Sequence, residues 1–156
     1  MLDPHNRRRI EEGMALARAG RYAEAIEVLE KDLLFTMDAA ALSYYALSIA
    51  RVEGDYEQAL SLGIMAVRRE IHNPDIYLNL GRVCQLGGCL EFAAKAFRKG
   101  LEIDPHHGEL KRELRGMGLR RRPVVGLPPQ GRPAGLAESL GDGAELERRL
   151  AFLDDR

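Results

Sequence analysis

Cys84 and Cys89 are the only cysteines in the 156 residues, and with the histidines they are the side chains best suited to metal or redox chemistry. Their spacing, Cys84-x4-Cys89, does not fit a zinc knuckle, and no second pair exists to complete a ligand set. Cys84 falls on the apolar stripe of a helical pattern and reads as a small core hydrophobe. Cys89 falls at a turn and reads as a free thiol. His106 and His107 follow Asp104-Pro105 and read as an exposed loop pair, while His5 and His72 stand alone. No glycine-rich loop ends in the lysine that a phosphate-binding loop requires. The many carboxylates fall on helix faces where solvation is the ordinary state. No catalytic, metal or cofactor set is expected, and the chain reads as a non-enzyme.

Arg7-Arg8-Arg9 and Arg120-Arg121-Arg122 are the basic runs. They lack interleaved aromatic residues, and the net charge of the chain is -1, so nucleic acid is not an expected partner. No apolar run approaches the ~20 residues that span a bilayer. No signal-peptide core follows Met1, and a reducing, cytoplasmic location is expected. Apolar residues make up 46% of the chain and charged residues 30%, which suits a folded protein more than a disordered one. Ala, Leu, Glu and Arg, all helix formers, dominate the composition.

What must position any working side chains is a repeat. Gly20, Gly54 and Gly88 stand 34 residues apart, and Ala25, Ala59 and Ala93 keep the same step. Gly20-Arg21-Tyr22-Ala23-Glu24-Ala25-Ile26 is echoed by Gly54-Asp55-Tyr56-Glu57-Gln58-Ala59-Leu60, and more loosely by the segment that starts at Gly88. Each glycine closes a helical pattern, since it takes a left-handed conformation at little cost. Asp55 is placed to cap the next helix, whereas Arg21 and Cys89 are not. Asp3-Pro4 marks a helix start. The pattern predicts helices over 4–19, 22–35, 39–53, 56–70, 74–87 and 89–103, with a polar capping helix over 107–116. Glycines and prolines are dense from Gly116 to Gly143, and this stretch reads as a linker. A short helix over 144–153 is expected, with Leu146, Leu150 and Leu153 on one side.

The chain resembles the tetratricopeptide-repeat family, whose period is 34. The third repeat carries the resemblance best, with Tyr77, Leu80, Gly81, Ala93, Phe97 and Pro105 at the family's signature positions. The first has Arg9 in place of the large aromatic, and the second has Leu47 where glycine is usual and Gly63 where a bulky residue is usual. The resemblance implies an all-α, right-handed superhelical stack of helix-turn-helix pairs. Its repeats would span about 6–39, 40–73 and 74–107, residues 1–117 would include the capping helix, and 118–156 would form the tail.

In this family ligands are held mainly by the first helix of each pair, which lines the inside of the curve. Carried over by position, the resemblance implies a groove of Arg7, Met14, Arg18, Tyr44, Tyr45, Ser48, Arg51, Asn79, Arg82, Gln85 and Arg112. Asp75 and Glu109 are its acidic members. Such a groove is basic and suits a peptide with acidic residues, because the planar arginine fork binds both carboxylate oxygens. Tyr44 and Tyr45 would be aromatic anchors. Family members that bind chaperone tails use Lys, Asn and Arg where this chain has Ile10, Met14, Tyr45, Asp75 and Asn79, so that activity is not implied. The expected function is a scaffold or adaptor holding a peptide or protein segment, without a cofactor. The alternatives are a secretion or assembly chaperone and a regulatory subunit acting through its tail.

Overall fold

A computed structural model describes residues 3–29, 38–120 and 143–154. Their regular structure is all helical: α1 Pro4–Arg18, α2 Tyr22–Val28, α3 Ala39–Val52, α4 Tyr56–Arg69, α5 Pro74–Leu86, α6 Leu90–Ile103, α7 Gly108–Arg120 and α8 Gly143–Arg149, then a 3-10 turn Ala151–Leu153. Local chemistry sets most of the starts. Asp38 accepts from the Ala41 amide at 2.7 Å and Asp55 from the Gln58 amide at 3.1 Å, which satisfies helix donors that have no partner of their own. Asn73 accepts from the Asp75 amide at 3.1 Å, with Pro74 opening α5. Arg21 and Cys89 provide no side-chain cap, as their types require.

The ends follow the 34-residue step. Gly20, Gly54 and Gly88 have φ of 80°, 67° and 84°, and no other described glycine has a positive φ. After Gly20 the Arg21 amide returns to the Leu16 carbonyl at 2.9 Å, and after Gly88 the Cys89 amide returns to Cys84 at 2.8 Å. These are the closing bonds of a left-handed C-terminal cap.

Helices pair as α1/α2, α3/α4 and α5/α6, and each first helix also packs on the first helix of the next pair. Ala25, Ala59 and Ala93 are all fully buried. α3 sits between the first and third pairs, and every residue from 41 to 50 is buried. The core runs continuously from Ile10 and Leu29 through α3–α6 to Leu110 and Met117.

Three helix ends differ from the pattern, one of them that of α8, which stops at Arg149 and gives way to a 3-10 turn where a helix to 153 is expected. α2 stops at Val28 instead of continuing toward 35. Leu29 leaves helical geometry, and its side chain is fully buried over Gly13, where a Cβ would lie 2.3 Å from its Cγ. Residues 30–35 of that expectation lie outside the described residues. α7 runs to Arg120, four residues past the expected 116, through Gly116 and Gly118. Each helical glycine costs about 1 kcal/mol. Burial of Met117, 6% exposed against the core, offsets that with about 1.5–3 kcal/mol. The expected linker over 121–142 lies outside the described residues.

The C-terminal segment docks back on the stack. Leu146, Leu150 and Leu153 are 2%, 0% and 6% exposed and join the main core. Arg149 donates to the Ser61 hydroxyl of α4 at 2.6 Å, and Lys95 of α6 pairs with Asp154 at 3.0 Å. A helix this short is marginal alone, so the leucine contacts hold it. Leu150→Asp should release it, because a buried carboxylate without a partner is costly. Hydrogen exchange should then show the amides of 143–153 losing protection while α4 and α6 keep theirs. Unchanged protection of 143–153 would contradict the docking.

Candidate functional site

Two hollows lie where α1, α3, α5 and α7 come together. One, of about 200 Å³, is lined by Arg18 and Tyr22, by Tyr44 and Leu47 of α3, and by Asp75, Arg82 and Glu109. The other, of about 270 Å³, is lined by Arg51, Gln85, Leu86, Glu113 and Gly116. They adjoin through Arg82, which reaches carboxylates of both.

Arg18 donates through Nε to the Tyr44 hydroxyl at 3.2 Å, and its guanidinium carbon lies 5.0 Å from that ring's centre. The hydroxyl contact is the main reason that the Arg18 pKa is raised. Arg51 sits 5.6 Å over the ring of Tyr22. Cation–π contacts of this kind contribute roughly 0.5–1 kcal/mol at exposed sites and preset the arginine rotamers. Tyr44 rests on a small cluster with Ala17 and Ala25, into which Met14 and Tyr22 also pack.

The expectation of a basic groove is corrected here. Arg82 donates to Glu113 and to Glu109, both at 2.9 Å. Its burial works against the charge, but the two carboxylates outweigh that and raise its pKa. Gln85 adds a bond to Glu113 at 3.4 Å. Arg18, Arg51 and Arg82 thus face Asp75, Glu109 and Glu113, and the charges of the hollows balance. His107 is not an exposed loop residue. Its Nε2 lies 2.8 Å from Asp75 Oδ1, and its Nδ1 accepts the Leu110 amide at 3.3 Å. Nδ1 accepting leaves Nε2 as the donor, so the ring joins the starts of α5 and α7.

Three other groove expectations fail on burial. Tyr45 is 2% exposed and belongs to the core, and burial pushes its phenol pKa up. Ser48 is fully buried and donates to the Tyr44 carbonyl at 2.8 Å. Asn79, 1% exposed, donates to Ser43 Oγ at 3.0 Å, while its Oδ1 has no partner among the described residues. Asn79 meets α3 through Ser43, and all three are buried by neighbouring helices that cover positions one repeat alone would leave open. Arg7 and Arg112 are exposed but line neither hollow. Arg18, Tyr44, Arg51, Arg82 and Gln85 are brought together.

Tyr22 and Glu113 are the contributors that the residue pattern missed. Tyr22 opens a second helix, and Glu113 lies one residue beyond the arginine chosen on α7. Glu109 and Glu113 stand at i, i+4, which places them on one face, and that was the available signal. Both cysteines are buried, and burial pushes the Cys84 thiol pKa far up, so it is held protonated. No helix among the described residues is long and apolar enough to cross a membrane. No family model matches this chain, and no curated protein matches it.

Proposed function

We propose that this chain is a tetratricopeptide-type repeat adaptor that binds a segment of a partner protein across the α1/α3/α5/α7 face. The 34-residue step of positive-φ glycines supports the repeat class. The observation that carries the binding reading is the pair of adjoining hollows, with arginines already held in place over Tyr44 and Tyr22. Preset side chains lose less entropy on binding. Tyr and Arg are also the residues most enriched among those that dominate interface energies.

The charge pattern narrows the partner. Arg18 and Arg51 offer guanidinium edges to acidic side chains, while Asp75 and Glu109 offer carboxylates to a basic or amide group. The segment is therefore of mixed charge and carries at least one acidic residue for the arginine pair. Arg82 serves to hold α7 against α5, each of its ion pairs contributing up to about 1 kcal/mol.

The test is affinity capture from source lysate with the wild type beside Arg18→Glu/Arg51→Glu. Both positions are exposed, so the double variant should keep its circular dichroism. A protein captured by the wild type should fall at least tenfold with the variant. Equal capture by both would remove the site from this face.

A further inference from the structure

A larger cavity, about 590 Å³, lies away from those hollows, between the ends of α4 and α6 and the docked C-terminal segment. Its volume is within the ~300–1,000 Å³ typical of small-molecule sites. Ile71, Tyr77, Ile103 and Phe152 provide its apolar wall. The Tyr77 hydroxyl is spent on the Ile71 carbonyl at 3.0 Å, so that residue offers only its ring. Five basic side chains share the lining: Arg68, His72, Lys99, Arg148 and Arg149, with no aspartate or glutamate among the lining residues.

This convergence is unusual in a chain of net charge -1. Arg68 and Arg148–Arg149 are in last turns, where the helix dipole favours a cation. That accounts for each one separately, but not for their meeting around one apolar hollow without a carboxylate in its wall. Arg148 has Glu145 at 2.7 Å and Lys99 has Glu102 at 3.8 Å, both partners on their own helices. Arg149 is turned to Ser61. Arg68 and His72 have no ion-pair partner among the described residues. Like charges repel, and an anion placed among them relieves the repulsion.

We propose that this cavity binds a free amphipathic anion, an alkyl carboxylate whose chain lies along Ile71, Tyr77, Ile103 and Phe152 and whose head meets Arg68 and its basic neighbours. The C-terminal segment is one wall of the site, so occupancy also holds α8 on the stack. Any ligand that binds only the folded, docked form stabilises it.

Decanoate is the probe, with decanol as its uncharged match and decylamine as its cationic one. The chain has no tryptophan, so Phe152→Trp installs a single tryptophan in the cavity wall, which can be excited apart from the tyrosines. Decanoate should change its emission saturably with one site, and decanol and decylamine should bind at least tenfold more weakly. In calorimetry on the full chain, Arg68→Glu should weaken decanoate at least tenfold. Arg98→Glu, on the exposed face of α6 and outside the lining, should leave it unchanged. If Arg68→Glu lost its helical circular dichroism, Arg68→Gln would replace it, with a weakening of at least threefold expected. The proposal is overturned if decanol binds as tightly as decanoate, if no saturable binding occurs, or if a folded Arg68 variant binds like the wild type. Binding to phosphatidylglycerol vesicles without binding to decanoate would equally overturn it, since that is surface attraction and not cavity occupancy.

Discussion

Phe97→Ala is expected to lower the stability of the fold by about 3–5 kcal/mol, the usual range for removing a fully buried aromatic ring. Phe97 is 0% exposed and is among the largest fully buried side chains of the core. Its ring lies over Gly81 of α5, so it is the piece that joins α5 and α6. Small domains hold only about 5–15 kcal/mol in total, so this single change removes a large share. Urea denaturation followed by circular dichroism should show a lower midpoint with an unchanged slope. Leu90→Ala on the same helix is the control. Leu90 is 39% exposed, and its loss should stay within about 0.5 kcal/mol. Similar midpoints for the two variants would mean that α6 does not bury the face described.

Gly81→Ala should also destabilise, by about 1–3 kcal/mol, even though alanine is the better helix former. An added Cβ would lie 2.3 Å from Cε1 and 2.6 Å from Cδ1 of the Phe97 ring. The ring is enclosed on all sides and has no room to yield. The strain therefore outweighs the helix-propensity gain of about 1 kcal/mol. Gly63→Ala separates the two effects. There the nearest atom is Leu80 Cδ1 at 3.1 Å, a much milder approach at the tip of an aliphatic side chain, which a small shift relieves. Gly63→Ala should be near neutral by the same denaturation measurement. Phe97→Leu should recover part of the Gly81→Ala loss, because the two positions touch and their effects are not additive. A stabilising Gly81→Ala would show that the ring is free to move.

The largest part of the architecture was legible in the residues. The ends of α1, α3 and α5, with the reversals that follow them, came from glycine spacing, and the starts of α1 and α4 from the residues at their caps. Those are local matters: a left-handed φ requires glycine, and an N-cap requires a short acceptor. Cys84 was legible as core for a similar reason, since it repeats the apolar period of its own helix. The three leucines of the C-terminal segment were also placed on one side by their spacing. Their destination was not, because spacing within a helix identifies a face and not what covers it.

The candidate face was read less well. Tyr44 and Tyr45 are adjacent, and the family positions made both ligand contacts. One lines a hollow at 7% exposure, and the other is sealed at 2% between α3 and its neighbours. Ser48 and Asn79 were lost in the same way, to burial against neighbouring helices. Arg82 was read as part of a basic groove without its ion pairs, because its partners lie 27 and 31 residues away on α7.

The residues alone thus determined where helices start, where the chain reverses, and which stripe of each helix is apolar, because these depend on backbone conformation and on neighbours within a turn or two. The tertiary structure decided which arginines are neutralised, which tyrosine lines a hollow, how far α7 extends, and that the C-terminal segment forms one wall of a basic cavity. Each of those depends on burial and on charges brought together from distant parts of the chain, and neither is encoded in the spacing of any one helix.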